Sequence, residues 1–131
     1  MTEGSTIRFL NSKGLNLVTP SSQFSYYDAS DDNYLVEIKN RKKYYSDKLI
    51  EAMKLYSNYQ QSVIQGKQFL YVVTDDKGVW VFNISKHIES IIKTAPKSFS
   101  LPKTTEFDNT EKIPKYCYTL TESIAKHFEL V

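Results

Sequence analysis

The run Tyr34-Leu35-Val36-Glu37-Ile38-Lys39 constrains the fold more than any other stretch of this chain. It is apolar enough to read as a strand, yet it carries an acid and a base two positions apart. A strand turns successive side chains to opposite faces, so Glu37 and Lys39 project from one face while Val36 and Ile38 project from the other. One face belongs to a core and the other brings charge into apolar surroundings. Charges placed in this way are costly to desolvate unless each has a partner, such as a metal ion or a phosphate.

The residues just upstream sharpen this reading. Phe24-Ser25-Tyr26-Tyr27-Asp28 reads as a second, aromatic strand, and Asp31-Asp32-Asn33 as the turn between the two. A two-residue turn at Asp32-Asn33, of the type whose central residues take positive φ, sets Asp31 opposite Tyr34 and Asp28 opposite Glu37. Directly opposed residues have β-carbons about 4.5–5.5 Å apart. Two carboxylates at that spacing repel, and one stays protonated unless a cation bridges them. Mg²⁺ fits best, because it takes oxygen ligands and usually keeps several waters.

Asp28, followed by eight residues and then Glu37-x-Lys39 on a hairpin that leads into a helix, resembles the PD-(D/E)xK nuclease superfamily, which includes restriction endonucleases, phage junction resolvases and some homing endonucleases. The resemblance spans roughly residues 3–84, with Tyr27 standing where the family places Pro. It implies a restriction-endonuclease-like α/β (α+β) fold: a mixed sheet of four to five strands flanked by helices. It further implies that Asp28 and Glu37, with the carbonyl of Ile38, hold Mg²⁺, for which Mn²⁺ can substitute, and that Lys39 positions the attacking water. Many members carry an extra acid on the first helix, a role only Glu3 can fill here; a frayed terminal residue is the alternative.

At 131 residues the chain has room for one domain, and 40% hydrophobic with 14% aromatic content suits a folded one. No apolar run approaches the roughly 18 residues of a membrane span, and no secretory leader is evident, so a cytoplasmic protein is expected, in the host cytoplasm if phage-encoded. Cys117 is the only cysteine, which excludes an intramolecular disulfide and leaves a buried, inert thiol as the expectation. His87 and His127 lack ligand-like spacing. A net charge of +2 says little by itself, but Arg41, Lys42, Lys43 and Lys48 crowd beside Lys39 against only Asp47. Such a cluster suits phosphate contact and DNA as partner, with a solvated loop as the alternative. The ten tyrosines gather partly around the site, where they either meet nucleic acid or simply fill a half-buried sheet.

Along the chain, Thr2 to Lys13 suits a helix capped by Gly14, and Leu15 to Val18 an edge strand. Ser46 reads as the N-cap of a helix from Asp47, with Leu49, Ala52, Met53, Tyr56 and Val63 as its apolar stripe and Gly66 as its end. On that helix Lys54 either contacts phosphate or pairs with Glu51. Phe69 to Thr74 reads as a central strand, Asp75 to Gly78 as a turn, Val79 to Asn83 as a returning strand, and Ser85 to Lys93 as a helix with Ile88, Ile91 and Ile92 inward. The core is expected over about 3–92. From Thr94 to Lys115 a basic Pro/Thr-rich arm follows, with Lys103 a candidate phosphate contact; Tyr116 to Leu120 reads as a last strand and Thr121 to Leu130 as a terminal helix.

These features lead to a metal-dependent DNA endonuclease, a homing endonuclease or junction resolvase in type, working as a homodimer or higher oligomer. A nucleic-acid-binding module without catalysis, using a Glu37–Lys39 salt bridge, is the second reading. A structural α/β protein with a coincidental Glu-x-Lys is the third.

Overall fold

Residues 1–21, 26–102 and 111–129 are described in the computed structural model, and they form three helices and eight strands. The expected mixed α/β fold is what the chain adopts. Its centre is strand β4, Gln68–Asp75, whose run from Phe69 to Val73 is apolar on both faces and buried throughout. Strand β2, Tyr34–Asn40, pairs with β4 in parallel, and β5, Gly78–Asn83, pairs antiparallel on the other side. The short β1, Ala29–Ser30, and β8, Ala125–Phe128, close the edges, giving the order β1-β2-β4-β5-β8. Gly78 is required where β5 starts: its φ is +124°, and a β-carbon there would lie 2.0 Å from the carbonyl oxygen of Phe128.

Helices cover both faces of this sheet. Helix α1, Glu3–Ser12, starts with a reciprocal capping box between Thr2 and Ser5 and buries Leu10 against Val36, Ile38, Leu70 and Val72. Helices α2, Ala52–Gln65, and α3, Ile84–Ile92, cover the other face, where Leu35, Leu55, Phe69, Phe82 and Ile84 form the larger core. Gly66 ends α2 in the left-handed conformation, with φ of 69°. The chain between β2 and β4 thus makes the long crossover that parallel pairing demands.

A second sheet departs from expectation. Strands β3, Lys48–Glu51, β6, Lys97–Pro102, and β7, Lys112–Leu120, form an antiparallel sheet in the order β3-β7-β6. Residues 97–102 and 112–115, expected in a loose arm, therefore form strands. β7 is not the last strand, and the expected terminal helix is a 3₁₀ turn at Glu122–Ile124 followed by β8. Helix α2 begins at Ala52 rather than Asp47, because Lys48 to Glu51 pair with β7. Its buried face is Ala52, Leu55, Asn58 and Ser62, while Met53, Tyr56 and Val63 are exposed. In α3, Ile91 is buried and Ile92 exposed. Leu15 to Val18 contributes a single bridge, Val18 to Ser30, instead of a strand. No helix among the described residues is long and apolar enough to cross a membrane.

Candidate active site

The hairpin has the expected register: Ala29 faces Val36, Ser30 faces Leu35, and the Asp31 N–H donates to the Tyr34 carbonyl at 2.9 Å. The turn is of another kind, since neither Asp32 nor Asn33 takes positive φ. The Asp31 carboxylate instead accepts the N–H groups of Asn33 and Tyr34 at 2.8 and 2.7 Å, and a further one from Asn16. These three bonds offset its burial and hold Asp31 below the usual carboxylate range.

Asp28 lies just before β1: the strand pairs Ala29 and Ser30, whereas Tyr26 to Asp28, expected as strand, lie outside it and Phe24 and Ser25 lie outside the described residues. Its N–H donates to Val36 at 2.8 Å and its Oδ2 accepts the Ile38 N–H at 2.7 Å. Alternate residues of a strand direct their N–H and C=O to the same side, so the Ile38 carbonyl opens along the edge where Asp28 sits. Glu3, in the first turn of α1, lies beside the Asp28 side chain; its own burial and the neighbouring acid raise its carboxyl above the usual range. The N-terminal end of α1 is held here by buried Thr6, whose hydroxyl donates to Asn40 Oδ1 at 3.1 Å, while Thr74 donates to the same oxygen. The acids thus form a chain, with Asp28 between Glu3 and Glu37.

Glu37 is 6% exposed. Burial first, and the Asp28 charge second, push its carboxyl up to about 7, against the opposing pull of Lys54 and Lys39. Lys39 points from the same face; burial, then the charges of Arg41 and Lys54, lower its ammonium to about 8. The ion-pair partner of Glu37 is Lys54, at 3.3 Å, rather than Lys39. Lys54 also pairs with Glu51 at 3.6 Å, and Glu51 with Lys115 at 2.9 Å. Burial lowers and the two acids raise the Lys54 ammonium, and the acids prevail. For Glu51, Lys115 and the other two lysines outweigh burial and bring its carboxyl below the usual range. This network joins α2, β3 and β7 to the site. Lys54 and Glu51 are visible in the sequence as a helix-spaced pair, but Lys115 arrives from a distant strand with no local signal.

The basic residues divide. Lys42 and Lys43 are exposed beside the site, and half-buried Arg41 is anchored by its N–H to Thr74 at 2.7 Å. Lys48 does not belong with them. It is 3% exposed, pairs with Asp75 at 3.6 Å and Glu122 at 3.8 Å, donates to the Tyr45 carbonyl, and lies over the rings of Tyr44 and Trp80. Its ammonium is turned into the protein. Lys103 lies outside the described residues. Cys117 is buried, as expected, and burial raises its thiol. His127 stacks on Trp80 at 3.8 Å and contacts the Lys77 carbonyl.

Among the described residues, no three acid, thiol or imidazole side chains converge as a preformed metal shell. The donor set at the edge of β2 is nevertheless all oxygen: Asp28, Glu37 and the Ile38 carbonyl, with Glu3 beyond. That chemistry fits Mg²⁺, which commonly takes one or two carboxylates and otherwise water. No protein-family model matches the chain, and no curated protein matches it significantly.

Proposed function

We propose that this chain is a Mg²⁺-dependent endodeoxyribonuclease. The observation that carries the reading is the buried Glu37 carboxylate, set beside Asp28 and on one sheet face with a lysine whose ammonium titrates near 8. Asp28 and Glu37, with the Ile38 carbonyl, would hold the cation, which supplies positive charge against the phosphate oxygens when bound.

The protein's own groups perform the remaining work. Lys39 donates a hydrogen bond to a water and, near pH 8, is neutral often enough to take its proton. The water oxygen bonds to phosphorus, the opposite P–O ester bond breaks, and solvent protonates the departing oxygen. Lys54 fixes Glu37, and Arg41, Lys42 and Lys43 supply positive charge along the DNA backbone. One small site cuts one strand, so a double-strand cutter or junction resolver of the expected type works as a symmetric homodimer or higher oligomer.

The test is incubation with supercoiled plasmid and with a four-way junction in Mg²⁺, Mn²⁺ and EDTA, beside Glu37→Ala. Metal-dependent cleavage absent from the variant is the expected result, and equal cleavage by both proteins would remove Glu37 from the mechanism. The Lys54–Glu37 pair also suits a second reading, a nucleic-acid-binding module that neutralises Glu37 internally. Such a module binds DNA equally well in EDTA and cuts nothing.

A further inference from the structure

A cleft of about 510 Å³ separates the main sheet from the edge strand β6. Its size falls within the roughly 300–1,000 Å³ of small-ligand sites. Tyr71 and Val73 line one side, Phe99 and Leu101 the other. Tyr71 and Val73 are the register partners of Glu37 and Lys39 and share their sheet face. The cleft therefore opens about one interstrand spacing, ~4.8 Å, from the acid and the base. Phe99 is partly buried and sits opposite Lys115, the lysine that pairs with Glu51.

The charges lining the cleft are unequal. Lys48 and Asp75 neutralise each other within the wall, leaving Arg41, Lys43 and Lys112 against Asp47. The Tyr71 hydroxyl is already spent on the Leu49 carbonyl at 2.9 Å, so the inner surface offers rings and aliphatic groups rather than polar groups. An aromatic slot with a cationic rim, beside a site that attacks phosphodiesters, matches a nucleotide whose base is out of the stack. A base kept within a duplex cannot enter a slot between two sheets.

We propose that this cleft binds an unpaired nucleotide of the DNA substrate, its base against Phe99 and its phosphates on Arg41, Lys43 and Lys112. The assignment rests on the nuclease reading of the neighbouring site and makes unpaired DNA, as at a junction or flap, the preferred substrate class.

The experiment is fluorescence anisotropy in EDTA with a labelled oligothymidylate and a labelled duplex, using wild type, Phe99→Ala, Phe99→Trp and Lys112→Glu, each checked for folding by thermal melting. Phe99→Ala should weaken single-strand binding about tenfold, as expected for loss of one stacked base, and change duplex binding less than twofold. Phe99→Trp should retain single-strand binding, and Lys112→Glu should weaken binding to both DNAs. Equal effects of Phe99→Ala on both DNAs, or none on either, overturn the proposal. The two readings fail separately. Phe99-dependent single-strand binding by a protein that never cleaves keeps the cleft and removes the nuclease, whereas metal-dependent cleavage with Phe99-independent binding does the reverse.

Discussion

Lys48 and Glu37 are both buried charged residues, 3% and 6% exposed, but their surroundings differ in kind. Around Lys48, opposite charges and ring faces meet: Asp75 and Glu122 on one hand, Tyr44 and Trp80 on the other. Asp75 is fixed in turn by the Trp80 indole N–H at 3.2 Å and the Lys77 N–H at 2.8 Å. Around Glu37 opposite charges also pair, Lys54 with Glu37 and Glu51 and Lys115 with Glu51, but like charges stand beside them: Asp28 next to Glu37 and Glu3, and Arg41 and Lys54 next to Lys39. The first cluster balances its buried cation with acids of the same chain and ties β3 to the main sheet. The second leaves three acids crowded at one edge and Lys39 beside further cations, an arrangement that a cation and a phosphate would relieve.

The comparison can be broken most sharply through cleavage. Asp28→Ala and Lys39→Ala should each reduce metal-dependent cleavage at least a thousandfold, roughly 4 kcal/mol of lost transition-state stabilisation, with far-UV circular dichroism unchanged. Wild-type rates in Asp28→Ala would remove it from the site. Lys48→Met should do the opposite, lowering stability by roughly 3–5 kcal/mol by urea unfolding, because it strands Asp75 without its cation. A loss below 1 kcal/mol would show that the cluster is not a structural tie.

A smaller effect separates the clusters by pH. The Glu37 carboxyl titrates near 7 in the native protein, above its ordinary 4.5. The native state therefore holds this proton more tightly than the unfolded chain, and the contribution of Glu37 to stability falls as pH rises from 4.5 to 7. Glu37→Gln cannot ionise. In EDTA its stability should overtake that of wild type across this window, by roughly 3–4 kcal/mol above it at about 1.4 kcal/mol per pKa unit. A pH-independent difference would contradict the assignment. The smallest effect is Asn58→Leu on the buried face of α2. Neither Asn58 amide atom has a hydrogen-bond partner among the described residues, so the variant should gain about 1 kcal/mol in thermal melting.

The sequence exposed local patterns and concealed distant pairings. Strands β2, β4 and β5 and the hairpin register that sets Ala29 opposite Val36 follow from apolar runs and short turns, whose signals lie within a few residues. Lys48 to Glu51 looked like the first turn of a helix because β7, which makes it a strand, lies more than sixty residues away. The buried face of helix α2 keeps Ala52 from the expected stripe but runs on through Leu55, Asn58 and Ser62, while Met53, Tyr56 and Val63 point outward. Residues 97–102 and 112–115 carry Pro, Ser and Lys that suit edge strands as well as loops. In the candidate site, the shared face of Glu37 and Lys39 is legible from period-two alternation and the nearness of Asp28 from the short turn. The inward turn of Lys48 and the Glu51–Lys115 pair depend on the second sheet, which left no local trace.

The most direct test of the contrast between the two clusters is a calorimetric titration of the protein with Mn²⁺, beside Glu37→Gln. Binding by wild type that is lost in the variant would show that the acids at the edge of β2 take a divalent cation. Identical titrations of the two proteins, or no binding by wild type, would contradict the account.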